Sequence, residues 1–291
     1  MKIIAVSILI PVNSEKYLSE TLKSIQDQDI DHNLIEVILI SDRVSLQKIE
    51  KIARDTLHGI DFQIHESNLP GIVPALNLGI KKTEGEFVAR LDHDDLMIPN
   101  RLSLQFKFLS SNLNFSAVGG QICLINMRGE YLGKSFYPTT PRKCRKSMRY
   151  TTPLPHPGVM FRKKDVVIAG GYRLGVPEDW DLWARLSEFS EITNLKETVI
   201  YYRIHANQLS RVPMYKMENA RKSLITSGRL RNIGLLDLPQ NNITPKDWYS
   251  DYMANRRFGT ILRFVDSSRW LLWDFSRKIL RIITTINPFE A

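Results

Sequence analysis

The chain has 291 residues, 43% of them hydrophobic and 24% charged, a balance that excludes a disordered chain, a collagen-like repeat and a small disulfide-stapled scaffold. Its two cysteines, Cys123 and Cys144, lack the CxxC spacing of a zinc or redox site and indicate a reducing, cytoplasmic environment. The net charge of +9 is uneven: residues 1–210 hold 26 Lys and Arg against 24 Asp and Glu, whereas residues 211–291 hold 14 against 7.

The first hundred residues alternate strand-like and helix-like patterns. Aliphatic runs of strand length predict four strands, at Val6–Val12, Glu36–Ile40, Phe62–His65 and Glu86–Leu91. Apolar residues at helical spacing predict three helices, over Tyr17–Ile25 and Pro74–Lys82 and from Pro99 to Leu109. The first aliphatic run is interpreted as a strand rather than a signal peptide. The alternation predicts βαβ units, and ligands bind such sheets at the carboxyl ends of the strands.

A second pattern begins near Ser116. Shorter strands are predicted at Ala117–Ile125, Gly158–Phe161 and Thr198–Arg203, with a helix near Asp179–Phe189. After about Arg211 the sequence is helical and basic. We therefore expect a domain over residues 1–210, with halves at about 1–115 and 116–210, followed by a helical extension over residues 211–291.

Three carboxylates, Asp92, Asp94 and Asp95, follow the strand that ends at Leu91. They repel one another unless a cation neutralises them, and hard oxygen ligands suit Mg²⁺ or Mn²⁺. Such ions complete their coordination with water and substrate phosphates, so a nucleoside diphosphate is the natural co-ligand. The alternative is that Asp92 or Asp95 caps the helix after Pro99.

A second acidic pair, Glu178 and Asp179, begins a predicted helix. One of these carboxylates could remove a proton from an attacking hydroxyl. The alternative is that both are favourable charges at a helix N-terminus. Asp42 follows the second strand and could cap a turn or accept a hydrogen bond from a base. His205, close to Arg203, could contact phosphate or a metal.

Several segments, in order along the chain, resemble family 2 glycosyltransferases with the GT-A fold. They lie at Val6–Val12, Tyr17–Gln28, Glu36–Asp42, Ala75–Ile80, Asp92–Gln105, Gly170–Arg173, Glu178–Trp183 and Tyr202–Ser210. The resemblance implies an α/β GT-A fold, a Rossmann-like mixed sheet flanked by helices, with a C-terminal helical extension. It also implies that about 1–115 form a nucleotide-sugar half and about 116–210 an acceptor half.

The same resemblance implies an inverting, metal-dependent transfer of a sugar from a nucleotide-sugar, most often a UDP-sugar. The acceptor would be a glycan or a polyprenyl-diphosphate-linked glycan in polysaccharide biosynthesis. The residues implied to bind the nucleotide-sugar are Pro11, Val12, Asp42, Asn77, Asp92 and Arg203. Those implied to hold Mn²⁺ or Mg²⁺ are Asp94, Asp92 and His205. Asp179 would be the general base, with Glu178 beside it.

The basic surplus lies in the extension, and residues 256–286 contain its most amphipathic part. Between Ser268 and Ile286, basic residues share one helical face, while tryptophans and aliphatic residues share the other. The charges interrupt any membrane-spanning run, so we expect a helix in the interface of an anionic membrane. This places the enzyme peripherally on the inner face of the cell membrane. The alternative is a helix packed on the catalytic domain or in a homodimer.

Two other functions are weighed against this one. A sugar-1-phosphate nucleotidyltransferase needs a glycine-rich basic loop after its first strand, which residues 11–14, Pro-Val-Asn-Ser, do not supply. A non-enzymatic protein that binds membrane or nucleic acid through its basic region leaves the acidic clusters unexplained. We therefore favour the glycosyltransferase and expect no nucleic-acid partner.

Overall fold

The computed structural model describes residues 4–148, 151–175 and 177–205. The strands are β1 (Val6–Val12), β2 (Ile35–Ser41), β3 (Asp61–Glu66), β4 (Phe87–Arg90), β5 (Leu96–Met97), β6 (Phe115–Ile125), β7 (Tyr131–Ser135), β8 (Met160–Arg162) and β9 (Glu191–Arg203). The helices are α1 (Leu18–Gln26), α2 (Leu46–Thr56), α3 (Ile72–Lys82), α4 (Arg101–Ser111), α5 (Pro141–Ser147), α6 (Lys163–Ile168) and α7 (Glu178–Leu186). None of the helices in these ranges combines the length and apolar character needed to cross a membrane.

The strands form one mixed sheet in the order β3-β2-β1-β4-β8-β6-β9-β5, with β7 paired to β6. The β1 strand lies between β2 and β4 and is parallel to both. The β8 strand is antiparallel to β4 and β6, and β5 is antiparallel to β9. This arrangement confirms the predicted α/β class with a mixed sheet.

The core lies on both faces of the sheet because its central strands are aliphatic throughout. Both β1 and β2 are buried at every position. Successive side chains of β1 enter opposite layers: Ile8 belongs to one apolar cluster and Leu9 to the other. The α3 helix packs tightly on Leu9 through Gly79, where an added Cβ would collide with a Leu9 methyl group.

The topology also positions the polar residues. Because β1, β2 and β4 are parallel, their carboxyl ends meet at one edge of the sheet. The residues after these ends include Asp42 and the Asp92–Asp95 segment. The β9 strand ends nearby, since the Arg203 backbone N–H donates to Asp95 Oδ1 at 2.8 Å.

Some element boundaries differ from the sequence-based expectations. The helix expected from Pro99 begins at Arg101, with Asn100 at its N-cap. The strand expected at Thr198–Arg203 is the end of the longer β9. The predicted extension over 211–291, its membrane segment at 256–286 and the boundary near residue 210 lie outside the described residues. They stay predictions.

Candidate active site

The three carboxylates after β4 form one cluster. A ligand oxygen of each of Asp92, Asp94 and Asp95 lies within 4.8 Å of those of the other two. Asp95 is fully buried, and among the described residues its Oδ2 has no hydrogen-bond partner. Burial, followed by the charges of Asp92 and Asp94, raises the pKa of Asp95 well above its ordinary value. The buried Asp95 carboxylate is thus costly to ionise without a further cation, and the oxygen donors of the cluster fit Mg²⁺ or Mn²⁺.

The end of β9 supplies the partners of this cluster. The Nε2 atom of His205 lies 2.7 Å from Oδ2 of Asp94. The fully buried Arg203 donates from Nε to the Asp94 backbone oxygen at 2.9 Å and from Nη2 to Glu20 Oε2 at 2.6 Å. His205 thus stands where the sequence expects a metal ligand, whereas Arg203 fixes the backbone that carries the carboxylates.

Arg90 is a site residue that the sequence analysis missed. It ends β4, is buried, and donates from Nη1 and Nη2 to the two carboxylate oxygens of Asp92 at 2.8 and 2.6 Å. Its Nε has no partner among the described residues. A cation inside the aliphatic run Phe87–Leu91 was the signal that could have identified it, because a strand buried on both faces rarely contains an unpaired charge.

The second acidic pair begins α7, as predicted. Asp179 Oδ1 accepts a hydrogen bond from the Trp180 backbone N–H at 2.7 Å. Burial raises the pKa of Asp179, although hydrogen bonds from Thr152 and Trp180 oppose this shift. Burial, and next the charge of Asp179, raises the pKa of Glu178 to about 7. Partly buried carboxyls with raised pKa values are suited to general-base catalysis.

His156 stands beside this acidic pair. It is buried, with Nε2 3.0 Å from the Tyr172 hydroxyl oxygen and Nδ1 3.8 Å from Glu178 Oε1. Its ring meets the Trp183 ring edge-on at 6.1 Å. Burial, and then the positive charge of Arg90, lowers the pKa of His156 well below its ordinary value. The imidazole is therefore neutral at physiological pH.

The turn before α7 is held from two sides. Asn77 donates from Nδ2 to the Tyr172 backbone oxygen at 2.8 Å and accepts the Tyr172 N–H at 2.9 Å. Arg185 donates from Nη2 to the Gly171 backbone oxygen at 2.7 Å and from Nε to Asp181 at 2.8 Å. Asn77, which was expected at the nucleotide-sugar, thus also connects α3 to the turn that carries Tyr172.

The residues expected at the nucleotide lie together at the ends of β1 and β2. Pro11 and Val12 are buried, and the Val12 backbone oxygen accepts the Asp42 N–H at 2.8 Å. Asp42 Oδ2 accepts the N–H of Gly71, just before α3, at 2.9 Å. Gly71 has a φ of 104°, which favours glycine there. Their expected contacts with a nucleotide stay predictions.

Known protein sequences similar to this chain are glycosyltransferases. Residues 7–171 match the family model described as Glycosyl transferase family 2. The O-antigen biosynthesis glycosyltransferase WbnJ of Escherichia coli is 30% identical over 225 residues, which cover 75% of this chain and 87% of WbnJ. Glu178, Asp179, Arg203 and His205 lie beyond the family match.

Solved structures share the fold. S. aureus TarS 1–349 in complex with UDP-GlcNAc has a TM-score of 0.62 at 18% identity, covering 81% of this chain and 68% of that chain. This chain spans 37% of a longer TarS chain. Mannosyltransferase PcManGT from Pyrobaculum calidifontis, in complex with GDP-Man and Mn²⁺, has a TM-score of 0.56 at 14% identity, covering 97% of this chain and 81% of that chain. At these identities the likeness is one of fold, and it confirms the GT-A expectation.

Proposed function

Because the chain belongs to glycosyl transferase family 2, it is a glycosyltransferase, and we propose that it transfers a sugar from a UDP-sugar with inversion at the anomeric carbon. The observation that carries this proposal is the presence of two distinct acidic groups. The Asp92–Asp95 cluster has the composition of a metal and diphosphate site, and Glu178 and Asp179 have the raised pKa values of a base.

On the donor side, Asp94, Asp92 and His205 would hold Mn²⁺ or Mg²⁺. When bound, this ion supplies positive charge that stabilises the departing diphosphate. Arg90 fixes Asp92 through two hydrogen bonds, so that the carboxylate keeps its orientation. We place the nucleotide against Pro11, Val12 and Asp42, with Asn77 beside it. The buried Arg203 supports the donor site from behind by holding the Asp94 backbone. The UDP-GlcNAc and GDP-Man complexes of the structural neighbours support a nucleotide-sugar donor.

On the acceptor side, Asp179 is the proposed general base. The acceptor hydroxyl oxygen attacks the anomeric carbon from the face opposite the diphosphate, and its proton passes to the Asp179 carboxylate. One bond forms between the acceptor oxygen and the anomeric carbon, while the bond from that carbon to the phosphate oxygen breaks with its electron pair. Displacement from the opposite face inverts the configuration.

The acceptor is proposed to be a glycan or a lipid-linked glycan in polysaccharide biosynthesis. The name of WbnJ, an O-antigen biosynthesis glycosyltransferase, supports this class of product. The basic, amphipathic segment 256–286 supports a peripheral position on an anionic membrane, where lipid-linked acceptors lie. We propose that this position is on the cytoplasmic, inner face of the membrane.

The test is a donor panel. Purified full chain is incubated with Mn²⁺ and separate UDP- and GDP-sugars, with and without a chelator, and released nucleoside diphosphate is measured. We expect release from one UDP-sugar that the chelator abolishes. The absence of binding and release with every nucleotide-sugar would overturn the proposal. Pyrophosphate release from a nucleoside triphosphate and a sugar-1-phosphate would instead identify the nucleotidyltransferase alternative.

A further inference from the structure

His156 and Tyr172 are not used in the mechanism proposed above, yet they lie against its acidic pair. His156 Nε2 is 3.0 Å from the Tyr172 hydroxyl oxygen, and Nδ1 is 3.8 Å from Glu178 Oε1. Both residues are buried, and their rings stand 5.4 Å apart between centroids. Burying two polar side chains costs desolvation free energy. Their position beside the Glu178 carboxylate therefore suggests a role beyond packing.

The protonation states limit how this pair bonds. The neutral imidazole carries one proton, on Nδ1 or on Nε2. Burial raises the pKa of Tyr172, so its hydroxyl keeps its proton. If that hydroxyl donates to Nε2, the imidazole proton is on Nδ1, which faces Glu178. The direction of the hydrogen bond between Tyr172 and Nε2 thus sets the tautomer of His156.

Tyr172 is well placed for this task because its backbone is immobilised. Asn77 bonds both its N–H and its carbonyl oxygen, at 2.9 and 2.8 Å. Arg185 holds the preceding Gly171 carbonyl at 2.7 Å. A carboxylate positioned through a second residue needs that residue to be held rigidly in this way.

We propose that His156 is a positioning residue: with Tyr172 bonded to its Nε2, it turns its Nδ1–H toward Glu178 and steadies that carboxylate beside Asp179. The inference rests on the proposed function, since it assigns a role within the acceptor side of that site. The separation of 3.8 Å exceeds a hydrogen bond. The proposal therefore requires the Glu178 side chain to rotate toward Nδ1 when the acceptor binds. Catalytic hydrogen bonds are often long before substrate binds.

The charges around Glu178 give this contact a measurable consequence. Asp179 on the same helix and Asp92 beyond the end of β4 disfavour its ionised form, whereas Arg90 favours it. A neutral Nδ1–H donor from His156 adds to the effect of Arg90 without adding charge. Without that donor, Glu178 holds its proton to higher pH. Because the charge of an ionised Glu178 makes Asp179 the stronger base, the rise of kcat with pH follows the ionisation of Glu178 and moves to higher pH with it.

The first experiment compares the pH dependence of kcat in variants of the full chain. His156→Leu should move the acidic limb upward by about one pH unit. His156→Asn, whose amide can donate from the position of Nδ1, should keep that limb at its original pH. Tyr172→Phe should shift it in the same direction as His156→Leu, while Tyr131→Phe on the exposed β7 should not. An unshifted limb in a folded His156→Leu protein overturns the proposal.

The second experiment needs no activity. In full chain with ¹⁵N-labelled histidine, His156 is assigned by its loss in His156→Asn, and its ring nitrogens report the tautomer between about pH 5.5 and 8. A neutral Nδ1–H tautomer throughout supports the proposal; an Nε2–H tautomer or a titrating ring overturns it. Because this spectrum is recorded on the unsubstituted chain, it tests the proposal even if His156→Leu fails to fold. A correct tautomer with no activity on any donor would contradict the proposed function alone.

Discussion

Glu178 illustrates how burial controls the chemistry of a single residue. Its side chain is 26% exposed, and burial followed by the neighbouring Asp179 raises its pKa from 4.5 to about 7. The folded chain therefore keeps the Glu178 proton in a pH range where the unfolded chain has lost it. The stability that this protonation contributes is present below about pH 4.5 and is lost as the pH rises to about 7.

Replacing Glu178 by glutamine should therefore stabilise the protein in a pH-dependent way. At pH values above 7, Glu178→Gln should raise the free energy of unfolding by on the order of 1–3 kcal/mol, because no charge has to be buried. Near pH 4 the gain should vanish. Urea unfolding at both pH values measures the difference, with Glu188→Gln, an exposed glutamate, as the control. An equal effect of Glu178→Gln at both pH values would show that ionisation of Glu178 has no such cost.

At the scale of elements, Arg185 fixes α7 to the turn that precedes it. Arg185 bonds Asp181 at 2.8 Å and also donates to the backbone oxygens of Ala169 and Gly171, and its side chain is 6% exposed. The α2 helix contains a pair with the same spacing, Glu50 and Arg54 at 2.7 Å, in which the arginine side chain is 68% exposed. The two pairs differ in burial and in the two backbone oxygens that Arg185 also binds.

This contrast gives a matched test. Arg185→Ala should lower the free energy of unfolding by about 3–5 kcal/mol, because it removes a cation from the buried Asp181 carboxylate and the hydrogen bonds to two backbone oxygens. Arg54→Ala should lower it by less than about 1 kcal/mol, because water screens that pair. Chemical denaturation of the two variants measures both values. Equal losses would mean that burial does not determine the strength of these pairs.

Some of the helices and strands could be predicted from the sequence and others could not. Continuous aliphatic runs predict β1 and β2, since strands buried on both faces leave that signature. The α2 helix was not predicted, although Leu46, Ile49 and Ala53 recur at helical spacing. The β5 strand was not predicted because a strand of two residues is too short to show an alternating pattern.

In the candidate active site, the adjacent acidic residues could be predicted from their spacing in the sequence. The contact of His156 with Glu178 could not, because the two residues come from separate segments. The pairing of Arg90 with the nearby Asp92 could not either, because the sequence does not show that the chain turns at the end of β4 and brings the two side chains together.

At the scale of the whole molecule, the charge distribution predicts membrane binding. Residues 211–291 carry 14 Lys and Arg against 7 Asp and Glu, and each basic residue near an anionic surface contributes about 1 kcal/mol. The combined variant Arg277→Glu, Lys278→Glu and Arg281→Glu should strongly reduce cosedimentation of the full chain with phosphatidylglycerol vesicles at low salt.

The matched control is a second triple variant that changes the net charge by the same amount outside the C-terminal segment. Lys51→Glu, Lys107→Glu and Lys164→Glu alter three exposed lysines of the described domain, and this combined variant should bind the vesicles more tightly than the first. If both combined variants lose binding equally, net charge rather than the C-terminal segment determines membrane affinity.

The central claim is that the acids after β4 bind the donor whereas those at the start of α7 activate the acceptor. The most direct measurement is donor binding and turnover, side by side, in Asp94→Asn and Asp179→Asn, using the UDP-sugar selected by the donor panel with Mn²⁺. Asp94→Asn should lose metal-dependent donor binding. Asp179→Asn should bind the donor as the original protein does and lose at least about a hundredfold in kcat. The reverse pattern, with donor binding lost only in Asp179→Asn, would contradict the account.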